Sequence, residues 1–341
     1  MLLSRSTRTQ SRPFALFAVA ALLGGAALAP VPASLRAQSR DEMNWQDRVY
    51  KDLSEQGVAR IPAGTYRLDV PFVLDQNERL ELSPKTTLIG VGGPAVILQG
   101  RRSAVSGGTL KSDSGVVVHV SQCLFWSVED CVIEGAKQSG VGLLVEGPIC
   151  YFGQASNVEI RDVAVAVSLT NDANANEFFH VVGFNIGTHF WKLDRAYANK
   201  VFGGFCHGSG TRDGATGVAV TNGSMYNGVY GLGFEPGGKN CRFLDTDPSS
   251  RRNQFIVQNN SVAGPRLQGR EDFVILSGDQ LRTPGGNVHL STHINAIETK
   301  VKGVEKSSEQ DKAGRVDLEK ELAKLQKAID YVYNGARFKK W

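Results

Sequence analysis

Four tetrads decide how this chain folds: Asn176-Glu177-Phe178-Phe179, Asn199-Lys200-Val201-Phe202, Asn227-Gly228-Val229-Tyr230 and Asn253-Gln254-Phe255-Ile256. An asparagine opens each one, and the steps between them are 23, 28 and 26 residues. A second pattern, Trp126-x-Val128-x-x-Cys131-x-Ile133, is matched by Val158-x-Ile160-x-x-Val163-x-Val165 and again by Trp191-x-Leu193-x-x-Ala196-x-Ala198, at offsets of 32 and 33 residues. Repeats in this range are the mark of a solenoid, whose coils bury little alone and make a core by stacking. The two patterns differ in period, so loops of unequal length interrupt the coils. Asparagine suits a left-handed turn between strands, and stacked amides bond from coil to coil. Sugar contact is the alternative role for these side chains.

Working outward from the repeats, the segment 57–90 reads as short strands closed by polar or glycine-bearing turns. Pro62-Ala63-Gly64 separates two of them, and Phe72-Val73-Leu74, Leu80-Glu81-Leu82 and Thr87-Leu88-Ile89-Gly90 follow. Such even punctuation predicts an all-β fold. Before it, Trp45, Val49 and Leu53 recur at helical spacing behind Asp41 as a cap, and Gly57 stops the helix. The expected organisation is a signal peptide over 1–37, a capping helix over 38–56 and a parallel β-helix over 57–297. A linker over 298–314 and an amphipathic helix over 315–341 complete it. The solenoid is expected to hold roughly ten coils of about 25 residues, with Val128, Ile160 and Leu193 stacked inward on neighbouring coils.

Arg60-Ile61-Pro62-Ala63-Gly64-Thr65-Tyr66-Arg67-Leu68, with a helix before it and Thr87-Leu88-Ile89-Gly90-Val91-Gly92 after it, resembles the entry coil of the pectate-lyase superfamily. The resemblance covers about 50 residues. It implies a right-handed parallel β-helix of the pectin-lyase-like kind, a polysaccharide as partner, and no particular reaction.

The N-terminus sets the expected compartment. Arg5, Arg8 and Arg12 precede an apolar stretch from Phe14 to Ala29, and small-residue cleavage sites follow at Ala33 and Ala37. That is the layout of a secretory signal, too short for a comfortable membrane span; an uncleaved anchor is the alternative. The protein is expected to be secreted, extracellular or periplasmic. The formal charge is +4, and residues 1–37 hold four arginines and no acid, so the mature chain is near neutral. Such a chain has no global field for nucleic acid or an anionic membrane. Cys123, Cys131, Cys150, Cys206 and Cys241 are odd in number and lack Cys-x-x-Cys spacing, which reads as mostly core residues with room for one disulfide. Leu318, Leu322, Leu325, Ile329 and Val332 form a short heptad seam. It reads as a helix packed on the solenoid or, through 315–335, as a homo-oligomerising coil.

Two function classes fit: a polysaccharide lyase or glycoside hydrolase, and a non-catalytic glycan-binding or structural surface solenoid. Hydrolysis needs two carboxylates; β-elimination needs a base and neutralisation of the uronate charge by Ca²⁺ or basic groups. The candidate catalytic residues are His207, Glu235, Asp172 and Asp213, with Arg212, Asp245, Asp247, Arg251 and Arg252 as substrate contacts. His207 and Glu235 end successive coils and are expected about one coil apart, near 5 Å. Polygalacturonase motifs are not matched: Asn171-Asp172 lacks the spacer, Asp194-Arg195 stands for the acid pair, and His207-Gly208 follows Cys206. Asp245-x-Asp247 is the one candidate for Ca²⁺; no other cofactor is indicated. His289 and His293 sit four apart on a strand-like segment without a companion ligand, so no metal site is assigned there.

Overall fold

The computed structural model describes residues 33–208, 211–258, 266–276, 280–283 and 286–289, with side chains from Trp45 onward. The expected linker 298–314, the helix 315–341, residues 290–297 and most of the expected signal segment lie outside the described residues. Two units divide the chain, Met1–Met43 and Asn44–Trp341. In the first, the described residues from Ala33 are helical.

The helix spans Ala33–Gln56, so it begins upstream of Asp41, which lies inside it instead of capping it. Ala33, Leu35 and Ala37 are good helix formers, and nothing between them and Asp41 breaks a helix. Val49 and Leu53 are buried, while the Trp45 ring lies 4.4 Å from Tyr66 and 5.6 Å from Phe72. The Tyr50 hydroxyl donates to Pro71 O at 3.1 Å and accepts from Val73 N. This stretch therefore closes the apolar end of the first coil. Gly57, in the left-handed region at φ 71°, donates its N–H to Leu53 O at 2.9 Å and ends the helix.

Beyond it the fold is an all-β parallel solenoid of about eight turns. Each coil feeds three ladders. The first runs from Val58–Ile61 through Ser127–Glu129 to Phe273–Leu276, and the second from Gly64–Leu68 through Val132–Glu134 and Phe205–His207 to Gly228–Phe234. Both belong to one 17-stranded sheet. The third ladder is an 8-stranded sheet from Phe72–Leu74 to Arg242–Thr246. A single left-handed residue, Asn157 or His180, bends one continuous strand from the first ladder into the second.

Alternate residues point inward on every ladder and fill the core. Phe178 and Trp191 meet edge to face at 5.0 Å across it, both fully buried. All five cysteines are buried and unpaired. Burial pushes the thiols of Cys131 and Cys206 up to about 12, so they behave as small apolar residues.

The two repeat patterns fare differently. Val128, Ile160 and Leu193 are all buried, yet they belong to three separate ladders. Val128 pairs with Val105 and Ala155, Ile160 with Ile133 and Gly183, and Leu193 with Leu169 and Val220. The expected stacking of these three is wrong, because alternating apolar residues mark an inward face on any strand and carry no register. The asparagine tetrads do stack. Asn176, Asn199, Asn227 and Asn253 are buried at the head of the first ladder. In each, Oδ1 accepts at 3.0–3.1 Å from the backbone N and Nδ2 of the asparagine one coil earlier; Asn176 receives other donors. Each Nδ2 also donates to a backbone carbonyl, as Asn199 does to Ala173 O at 3.1 Å. The left-handed residue is the one before: Ala175, Ala198, Tyr226 and Arg252. The column ends at Asp272, whose Oδ1 accepts from both nitrogens of Asn253 and whose Oδ2 accepts from Ser250 Oγ. A carboxylate has no donor to place, so it terminates a ladder of amides without asking for another coil.

Parallel stacking stops at Phe273–Leu276. Gln280–Thr283 and Gly286–His289 then pair antiparallel, which gives about eight turns among the described residues where ten were expected over 57–297.

Candidate functional site

The nine candidate residues fall at three places around the coil. His207 ends the second-ladder strand Phe205–His207, and Glu235 follows the next strand of that ladder one coil on, its N–H donating to Cys206 O at 3.0 Å. The expected adjacency of these two backbones is present. The His207 ring stacks on Phe184 at 5.9 Å. The loops behind them interlock: Gly237 N and Gly238 N donate to Thr211 Oγ1 at 2.6 and 3.1 Å, and Lys239 N donates to Asp213 Oδ1 at 2.8 Å. A Cβ on Gly208 would lie 1.9 Å from Glu235 O, so only glycine lets the loops approach this closely. Asp213 thus braces a loop, and Arg212 donates to Gln138 O at 3.1 Å.

Asp172, Asp247, Arg251 and Arg252 lie at the other end of the 8-stranded sheet, where its strands turn back toward the first ladder. A six-residue strand such as Val165–Thr170 separates the two edges by roughly 20 Å, too far to share one glycosidic bond. Asp172 pairs with Arg195 at 3.1 Å, and Arg252 pairs with Glu271 at 2.6 Å while donating to the Tyr226 hydroxyl at 2.8 Å. Asp247 accepts from Asn222 N, Ser249 N, Ser249 Oγ and Ser250 N. Burial opposes its charge, but these donors together hold its carboxyl below the usual range.

Asp245 lies between the edges, on the outward face of the 8-stranded sheet, bound by Arg266 through Nε at 2.6 Å. Since Asp247 is taken up by its turn, the pair does not fit a Ca²⁺ site. Among the described residues no group of three or more His, Cys, Asp or Glu gathers as a metal site would require.

This outward face gathers chemistry that the sequence reading passed over. Strand His189–Asp194 turns His189, Lys192 and Asp194 outward and Phe190, Trp191 and Leu193 inward. Two buried residues in a row break the alternation, which hides His189 from a period-two count. Lys192 Nζ lies 3.4 Å from Asp194 Oδ2, and Asn222 Nδ2 donates to Asp194 Oδ1 at 2.6 Å. Register places Ala219 and then Asp245 beyond Lys192, and Thr216 and then Arg242 beyond His189. Burial pushes the His189 imidazole below its usual value; Lys192 adds to the shift and Asp245 opposes it. Thr188 Oγ1 donates its one hydrogen to Ala164 O at 2.9 Å, so toward His189 Nδ1, 3.1 Å away, it can only accept. The proton therefore sits on Nδ1, and Nε2 is the basic nitrogen. Thr221 Oγ1, next to Asp194 in register, is buried without a partner. Further along, His119 Nε2 lies 3.2 Å from Glu146 Oε2.

No family model matches the chain, and no curated protein matches it. Among solved structures, the chain is similar to the Geobacillus virus E2 protein ORF18, with 14% identity over 65% of this chain and 54% of that one and a TM-score of 0.45. The chain thus spans about half the length of the viral protein. It is also similar to the Streptococcus pneumoniae surface protein and adhesin PfbA. One structure of PfbA has 9% identity over 70% of this chain and 96% of that one, with a TM-score of 0.40. Another has 10% identity over 73% and 91%, with a TM-score of 0.34.

Proposed function

We propose that this chain is an exported, pectin-lyase-like β-helix protein that acts on an acidic polysaccharide as a lyase, on the outward face of its 8-stranded sheet. One observation carries the reading. Burial disfavours the charged form of His189, Thr188 selects its tautomer, and Lys192 and Asp245 act on it electrostatically. A neutral imidazole whose value is shifted by burial and by specific charges suits a general base. In β-elimination, Nε2 takes the proton beside the uronate carboxylate. The bond from the sugar to the leaving oxygen breaks, a carbon–carbon double bond forms, and that oxygen takes a proton from water. Lys192 and Arg242 supply positive charge for the uronate. Incubation with polygalacturonate, alginate and glycosaminoglycans should give an ultraviolet-absorbing unsaturated product, lost in His189→Ala. No product from any polyuronate, or full activity in His189→Ala, overturns the reading.

A second reading is a non-catalytic glycan-binding or structural surface solenoid. What favours it is the pairing of Asp172, Asp245 and Asp247 with donors of their own, which leaves those carboxylates in structural duty. Binding to a polysaccharide without turnover selects it.

A further inference from the structure

The left-handed corner before the asparagine column carries a different feature. Paired bridges from Leu124 to Tyr151, Asn174, Tyr197, Met225 and Arg251 put the next residue of each coil in one row. That row reads Phe125, Phe152, Ala175, Ala198, Tyr226, Arg252. All six are at positive φ, between 53° and 62°. Asparagine or glycine takes this conformation at least cost, and a bulky aromatic is a poor choice for folding alone. Phe152 and Tyr226 are nonetheless among the most exposed large side chains, at 58% and 45%.

Phe125 and Phe152 stack at 5.5 Å with 24° between their planes, close to the step of about 4.8 Å between coils, so the ring faces look along the solenoid axis. Arg101 lies over Phe125, and Arg252 covers Tyr226 from the coil beyond. The uncovered face of Phe152 and that of Tyr226 therefore look toward each other across Ala175 and Ala198. Three coil steps separate them, about 14 Å. At van der Waals separations of ~4 Å, that gap takes one saccharide ring against each aromatic face. Polar groups flank it. Glu177 and Lys200 follow the alanines by two residues, with Lys200 Nζ donating to Tyr226 O at 3.4 Å. The Asp172–Arg195 pair stands on the other side.

We propose that this notch is a second glycan-binding site, gripping two pyranose units between Phe152 and Tyr226, apart from the face that holds His189. Ring faces recognise the C–H face of a sugar while the charged flanks meet its hydroxyls. The site does not depend on the lyase reading, and its test separates the two. Full-length protein is screened on an array of neutral and acidic oligosaccharides, and the best ligand is titrated calorimetrically. Phe152→Ala and Tyr226→Ala should each weaken binding about tenfold. Ala198→Trp, which fills the notch, should abolish it, with circular dichroism unchanged in all three. His189→Ala should bind as the parent does. Absence of binding to any glycan overturns the proposal, as does parent-like affinity in both aromatic variants or loss of binding in His189→Ala.

Discussion

The indole Nε1 of Trp126 reaches past Gly153 and donates to Asn176 Oδ1, 3.0 Å away and two coils along. Trp126 and Gly153 hold the same place in their coils as Asn176 does in its own, just before a first-ladder strand. Gly153 N donates to the same oxygen at 3.0 Å. Together these two replace the backbone and amide donors that an asparagine would bring. A Cβ on Gly153 would lie 2.0 Å from the indole nitrogen. Gly153→Ala should therefore cost about 1–3 kcal/mol by overpacking, and Trp126→Phe about 3 kcal/mol at most through the lost donor. Urea unfolding followed by circular dichroism measures both, and a neutral Gly153→Ala would contradict the arrangement.

Asn199 sits mid-column. Its replacement by leucine leaves Asn176 N without its acceptor, and takes one of two acceptors from Asn176 Nδ2 and one of two donors from Ala173 O. The expected loss is about 3 kcal/mol or more. Because coils contact only their neighbours, hydrogen exchange should rise first in the strands around Glu177–Phe184 and Gly228–Phe234. Uniform loosening along the whole solenoid would speak against a local column.

Two buried or half-buried acids should give pH effects of opposite sign. Burial pushes the Asp272 carboxyl above its usual range despite its donors. The folded state then binds protons more readily than the unfolded chain, so stability falls as pH rises from the unfolded value through the folded one. Asp272→Asn removes that fall and raises stability at neutral pH. An amide there donates to Ser250 Oγ and frees that hydroxyl for Asp247 O. Burial also acts to raise Glu134, but Lys111 at 2.6 Å and Arg161 at 2.7 Å outweigh it and hold its carboxyl below the usual range. Its contribution is present above the unfolded value and lost as pH falls through the folded one. Glu134→Gln should lower neutral stability by about 1–2 kcal/mol and flatten the acid limb. Melting temperature against pH for the two variants reads both slopes.

If His189 is the base, turnover should rise with pH along a limb lying below the ordinary histidine value of about 6.5, because burial lowers it. Lys192→Ala takes away one of the two influences that lower His189 and should move that limb upward. A limb that stays put in Lys192→Ala assigns the titration to another group.

The sequence by itself determined the class of fold and one true register. Short punctuated strands require a β-structure, and buried asparagines bond to the residue at the same place in the next coil, so their spacing reports the coil. It also placed His207 beside Glu235, because both follow counted positions on the column. The Trp126, Val158 and Trp191 pattern misled for a physical reason: inward alternation is common to every ladder and does not say which ladder a strand joins. Tertiary structure alone decided which polar residues meet. Lys192 and Asp245 lie two coils apart on one face, while Asp172 and His207 lie off opposite ends of the strands of the 8-stranded sheet. Distance around a coil depends on where each strand bends, and single left-handed residues such as Asn157 and His180 set those bends. Asparagine admits that conformation at many positions without adopting it and histidine gives no sign of it, so the closing of the coil, and with it the site, became visible only when the chain was wound.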